Sequence, residues 1–118
     1  MNSLILTLDA GAGCCLPIAY QQLTQGALYA AWRGSYPQLH DEGFAGDGQT
    51  FRLFTFGPLE GRYRVQGNEI TFTGLVQLEV RSPVEDLLYA LGKSLTGAGA
   101  LRLGRCVLPL RDLHSEDH

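Results

Sequence analysis

The chain has 118 residues, 45% apolar and 18% charged, with 15 glycines, 5 prolines, 3 cysteines and a formal charge of −3. That balance suits one domain with a real hydrophobic core and excludes collagen-like, coiled-coil and disordered chains. A net negative charge also argues against gripping nucleic acid over the whole surface, so any phosphate binding has to be local. The longest apolar run, Ala27 to Trp32, is far short of the ~18 residues of a membrane-spanning helix. No Lys or Arg precedes Arg33, and Asp9 interrupts Leu4-Ile5-Leu6, which speaks against a secretory signal and leads us to expect a cytoplasmic protein. Cys14, Cys15 and Cys106 fit neither a disulfide framework nor a four-ligand zinc site and are expected as buried reduced thiols.

Ser3 to Asp9 alternates, with Leu4, Leu6 and Leu8 on one side, and predicts a short strand broken by Gly11-Ala12-Gly13. From Pro17, a favourable first helical residue, Leu16, Ala19, Tyr20, Leu23, Ala27, Ala30 and Ala31 recur at helical spacing and predict a helix to about Arg33-Gly34. Gln22, Gln25, Tyr29 and Arg33 cluster on its polar face, so the pattern does not mark Tyr29 as core. A long polar connection then runs through His40 to Gln49, a length at which loops often carry function. Thr50 to Phe56 reads as an aromatic strand with Arg52, Phe54 and Phe56 on one face.

Arg62 to Gln66 and Glu69 to Val80 flank Gly67-Asn68, a two-residue loop that predicts an antiparallel hairpin, and Gly74 marks a candidate bulge in its second strand. Ser82-Pro83-Val84-Glu85 has the form of a helix start with Ser82 as the cap. Val84, Leu87, Leu88, Leu91 and Leu95 continue that helix to about Gly97-Ala98-Gly99. Ala100 to Leu110 reads as a last strand with Pro109 at an edge or its end. The order of elements predicts an α+β fold, a ferredoxin-like split strand-helix-strand arrangement with an antiparallel sheet and two helices on one face. It is expected to form a single domain over residues 1–111, with 112–118 as a polar C-terminal tail.

The chain holds no P-loop, dinucleotide fingerprint, metalloprotease helix or nucleophile elbow. His114 and His118 have the spacing of two metal ligands on a helix but sit in a polar stretch with nothing to hold them, so no metal site is expected. Tyr29, His40 and Arg52 are the polar positions hardest to dismiss as packing. The bland alternative has Tyr29 packed against the loop, His40 exposed and Arg52 paired with a nearby carboxylate.

Three stretches in order, Ala27-Leu-Tyr-Ala-Ala-Trp32, Leu39-His-Asp-Glu-Gly-Phe44 and Phe51-Arg-Leu-Phe-Thr-Phe-Gly57, resemble the N-terminal half of the CRISPR-associated endoribonucleases that process repeat RNA. The similarity continues through Leu78-Glu-Val-Arg-Ser-Pro83 and the helix after it. The resemblance implies two tandem ferredoxin-like domains, of which this chain matches the first, and cleavage of precursor CRISPR RNA within its repeats without a metal or other cofactor. It assigns the catalytic tyrosine to Tyr29 and the catalytic histidine to His40, and it puts Arg52 where the family frequently has lysine. Arginine stabilises charge but does not realistically give up a proton, so that exchange narrows the role. Gly57 stands where the family commonly has serine.

The implied chemistry is attack of a ribose 2′-hydroxyl on the adjacent phosphorus. His40 would handle the proton, Arg52 would stabilise the phosphorane, and Tyr29 would orient the phosphate or act as the acid. Arg62 and Arg64, which alternate onto one strand face, and Arg102 and Arg105 near the last strand are the candidate RNA contacts beyond that trio. A solvated strand face is the plain alternative. Phe54 and Phe56 could stack on bases but are expected to be buried between sheet and helices. The expected partners are repeat RNA and either a second copy or a missing C-terminal half, with no membrane. Three explanations of the missing half stay open: a truncation, a split or decayed gene product, or a standalone domain that dimerises. Two other functions compete, a noncatalytic RNA-binding or scaffold module of the same ancestry and a ferredoxin-like assembly domain unrelated to RNA.

Overall fold

The computed structural model describes residues 2–33, 45–46, 49–50 and 54–117. Its centre is the pair β1 (Asn2–Asp9) and β7 (Glu69–Ser82), antiparallel, with Asn2 opposite Ser82 and Asp9 opposite Leu75. Alternation puts Leu4, Leu6 and Leu8 against the helices with Val76, Leu78 and Val80, all of them buried. Each such side chain contributes roughly 1.5–3 kcal/mol by leaving water.

β2 (Cys14–Pro17) runs in line with β1 along the first half of β7, Cys14 opposite Phe72 and Pro17 opposite Glu69. On the other edge of β7 lie β5 (Thr55–Phe56) and β6 (Glu60–Gln66). Beyond β1 come β9 (Cys106–Asp117) and then β8 (Ala100–Leu103), outermost. The helices α1 (Gln21–Trp32) and α2 (Glu85–Ala98) pack on each other and cover one face of the sheet. Every neighbouring strand pair is antiparallel, which is the expected α+β ferredoxin-like arrangement. A separate small ladder pairs β3 (Ala45–Gly46) with β4 (Gln49–Thr50).

The hairpin forms at Gly67-Asn68 as predicted, with Gly67 at φ 62°. The bulge also falls where Gly74 suggested. Opposite it the register jumps between Gly61 and Arg62, and Gly74 adopts φ 70° while exchanging backbone bonds with Ala10 and Gly11. Gly61 is needed for a different reason: a Cβ there would lie 2.7 Å from Val76 Cγ1 and 2.9 Å from the Leu75 carbonyl oxygen. α2 ends on Gly99 in the left-handed region at φ 76°, its N–H donating to the Leu95 carbonyl.

Several expectations change. Pro17 does not open a helix; it closes β2, and α1 starts four residues later at Gln21. The buried line of α1 is Thr24, Leu28 and Trp32, with Ala30 exposed, so the stripe is rotated from the predicted one. Thr50 to Phe56 is not one strand, because Gln49–Thr50 pairs with β3 and Thr55–Phe56 pairs with β7. Ser82 does not cap α2: the helix begins at Glu85 with Val84 at the N-cap and no side-chain cap, and the Ser82 hydroxyl instead accepts from the Val84 N–H at 3.0 Å in a turn just ahead of the helix. The single last strand is a hairpin turned at Gly104-Arg105, with Gly104 at φ 60°. The residues expected as a polar tail continue β9, and Leu113 to Asp117 pair with β1 as Leu6↔Leu113 through Asn2↔Asp117. That strand is held by its backbone ladder and Leu113, a pattern that hydrophobic alternation barely marks.

Candidate functional site

Two places carry the residues singled out by sequence. The first is the helix side near the end of α1. Tyr29 is half-buried there, its ring edge-on to Phe54 with centroids 5.5 Å apart. Phe54 in turn packs on Trp32 at 4.6 Å and Phe56 at 6.4 Å. Trp32 is pinned by its indole N–H, which donates to the Leu87 carbonyl at 2.8 Å and ties α1 to α2. At the other end of α1, the Tyr20 hydroxyl accepts from the Leu59 N–H at 3.0 Å. Tyr29 therefore belongs to the margin of the aromatic core, though its position on a polar helix face did not suggest this. Phe54 and Phe56 are in that core, as expected, and not on an open stacking surface. His40 and Arg52 lie outside the described residues.

The second place is the sheet face turned away from the helices. Arg62 and Arg64 of β6 stand opposite Thr73 and Thr71 and point to this face, both exposed. Arg102 of β8 stands opposite Val107 between the buried Leu101 and Leu103, so it too is on the open face. Arg105 sits in the exposed β8–β9 turn beside Cys15 and Glu69, which line the same small cleft. These arginines gather at one end of the sheet but on its two edges. Four strand spacings separate those edges, ~19 Å, so they form two contact lines and cannot clamp one phosphate together. None of the four makes an ion pair among the described residues.

Farther along the same face, from the middle of the sheet to its other end, the charges are satisfied internally. Arg81 pairs with Glu79 at 3.1 Å and Arg111 with Asp9 at 2.9 Å. The Gly11 backbone N–H, and after it the Arg111 guanidinium, hold the Asp9 carboxyl below its ordinary range. His114 sits on β9 between Asp112, 3.2 Å from Nδ1, and Glu116, 3.4 Å from Nε2. Its partners are thus carboxylates on its own strand.

Of the cysteines only Cys14 is buried, while Cys15 is exposed and Cys106 lies between. Burial, and then the neighbouring Cys106 thiol, push the Cys14 thiol up to about 12. Cys15 points to the open face instead, where its thiol donates to Glu69 at 3.3 Å.

Sequence reasoning singled out Arg62 and Arg64 but missed the other, apolar face of β6 as an exposed surface. Every residue of β6 is exposed, including Tyr63 at 60% and Val65 at 52%. The Arg-Tyr-Arg-Val alternation was the available signal: one face basic, the other apolar and left uncovered by the helices.

The fold, a ferredoxin-like sheet with a covered and an open face, recurs in solved structures. The chain is similar over 99% of its length to one described as CRISPR associated protein Cas6, with 21% identity and a TM-score of 0.76. A RAMP protein described as binding different RNA substrates matches over 99% with 15% identity and a TM-score of 0.77. The product of a Cas6-related gene from Pyrococcus furiosus matches over 100% with 12% identity and a TM-score of 0.77. The chain spans about half the length of these proteins, 49%, 49% and 48% respectively. No protein-family model and no curated protein matches the sequence. Among the described residues no helix is long and apolar enough to cross a membrane.

Proposed function

We propose that the chain is the first, catalytic-residue-bearing domain of a CRISPR repeat-RNA endoribonuclease. The observation that carries this reading is that its whole length superposes on half of Cas6 and RAMP proteins, the group to which its Tyr29, His40 and Arg52 motifs independently point. The arginines of the open face that make no ion pair among the described residues supply the local positive charge that the acidic composition otherwise denies.

In this reading the RNA brings its own nucleophile. The ribose 2′-hydroxyl attacks the adjacent phosphorus in line, a P–O bond forms to the 2′-oxygen, and the bond to the 5′-oxygen breaks. The products are a 2′,3′-cyclic phosphate and a 5′-hydroxyl. A proton leaves the 2′-oxygen and one reaches the 5′-oxygen, so the step needs groups that move protons and stabilise charge and no metal-activated water. His40 moves a proton, since imidazole titrates near neutral pH. The Arg52 guanidinium stabilises the charge that builds on the phosphorane. Tyr29, held by Phe54, donates a hydrogen bond to the scissile phosphate or the leaving oxygen.

The test is a labelled repeat RNA incubated with the protein in EDTA. The proposal expects cleavage to survive the chelator, to fall by about 100-fold or more with His40→Ala, and to vanish when the RNA carries a 2′-deoxy at the cut. Cleavage that needs a divalent ion, or that proceeds on the 2′-deoxy substrate, overturns the mechanism. Tight binding of the repeat with no cleavage reassigns the chain to an RNA-binding module that needs the other half.

A further inference from the structure

β9 is longer than its partner on the outer edge. β8 pairs only with Cys106 to Pro109, and the Leu110 N–H is taken by the Gly99 carbonyl at 2.9 Å. Among the described residues no strand lies on that edge from Arg111 to Asp117, so a row of backbone donors and acceptors faces outward there. Beside it, between α2 and the end of β9, runs a groove of about 1290 Å³. Its floor is Leu4, Leu88, Gly92 and Leu113, and Tyr89, 74% exposed, forms one wall. Gly92 keeps the floor low, since a Cβ there would meet Leu113 Cδ2 at 3.3 Å.

The rim is acidic. Glu85 and Asp86 of α2 and Glu116 and Asp117 of β9 line the groove, against Lys93 and His114. Antiparallel pairing of this edge with a second copy, centred on His114, would set Asp112 against Glu116 on both sides of the centre, which disfavours self-association. The same charges favour a cationic visitor.

We propose that this edge and groove bind an extended segment of another protein in which apolar and basic residues alternate. It adds as a strand in line with β8, its apolar side chains fill the groove over Leu88 and Leu113, and its basic side chains reach the carboxylates on the rim. The groove is on the helix side and Glu116 is on the open face, and both are at the opposite end of the sheet from Arg62, Arg64, Arg102 and Arg105, so occupation of this edge does not compete with them.

The probe is a fluorescent peptide of alternating lysine and valine, about six residues long as strands usually are, titrated into the intact chain. Binding is expected, with new hydrogen-exchange protection of the backbone amides of residues 111–117. A peptide of the same sequence with alternate amides N-methylated is expected to lose binding, because it cannot complete the ladder. The Asp86→Lys and Glu116→Lys double variant is expected to weaken binding by about tenfold, with its thermal midpoint measured alongside to show that it folds. A glutamate-for-lysine peptide should not bind. No binding at millimolar peptide, equal binding of the N-methylated form, or protection elsewhere in the chain overturns the proposal. So does a concentration-dependent dimer, seen by sedimentation, that protects residues 111–117 without peptide.

Discussion

Arg81 and Arg111 stand on the open sheet face with a carboxylate each, Glu79 and Asp9, whereas Arg62, Arg64, Arg102 and Arg105 stand toward the hairpin end of that face with none among the described residues. The two sets share a solvent, a sheet and a charge. They differ in what already satisfies them. A guanidinium bonded to a neighbouring carboxylate has little left to offer a phosphate, since binding one would first require breaking the pair. An unpaired guanidinium on a strand of alternating Arg and apolar residues is free to take a ligand's charge. Under the proposed function, the contrast is what lets a chain of charge −3 meet a phosphate backbone: the field that matters is local.

The largest expected effect is on RNA affinity. Arg62→Ala with Arg64→Ala should weaken repeat binding by about ten- to 100-fold near 0.1 M salt and lower the salt slope by about 1.4, at ~0.7 for each phosphate that is no longer neutralised. Arg81→Ala with Arg111→Ala should change affinity by less than about twofold, the size of a screened rim charge. Equal losses from the two double variants, read by filter binding across a salt series, would break the comparison.

The basic end also depends on the geometry of the hairpin. Gly61→Val forces atoms into space held by Val76 and the Leu75 carbonyl, and should cost about 1–3 kcal/mol in urea unfolding. An unchanged midpoint would mean that the register jump at Gly61 is not what sets β6 against β7. In the paired set, Arg111→Ala should cost less than about 1 kcal/mol, because the pair is half in water.

The smallest effect is a dependence on pH. The Gly11 N–H and Arg111 lower the Asp9 pKa in the folded state, so the unfolded chain holds the proton more tightly. That stabilisation is complete above the ordinary carboxylate range, near pH 4, and is lost as pH falls through the lower folded value. Comparing the acid limb of the unfolding profile with that of Asp9→Asn should show a shallower dependence in the variant. A steeper one would contradict the assignment.

The parts of this fold that could be read from sequence are those decided locally. Gly67-Asn68 fixed a hairpin because two residues that accept left-handed backbone join two alternating strands, and Gly74 betrayed its bulge in the same way. Leu87, Leu88, Leu91 and Leu95 drew α2 correctly because burial follows their spacing. Cys14 to Pro17 misled because its strand exists only through pairing with residues 69–72, far along the chain, while Pro17 locally favours a helix start. Gly104-Arg105 hid a turn inside an apolar run, and the polar end of β9 hid a strand whose ladder, not its side chains, holds it.

For the site, period-two alternation put Arg62 and Arg64 on one face correctly. Nothing local to them told that they would lack, among the described residues, the carboxylates that Arg81 and Arg111 have. Tyr29 was legible as a conspicuous residue but not as one braced by Phe54, since that contact joins α1 to a segment 25 residues on.

The most direct test is to cross-link the protein to repeat RNA carrying 4-thiouridine at successive positions and to map the attached peptides by mass spectrometry. The account predicts cross-links on the open face of the β6–β7 hairpin around Arg62 and Arg64, and on the β8–β9 turn around Arg105. Cross-links concentrated instead on α2 and the Asp112 to Asp117 end of β9, with the hairpin silent, would contradict it.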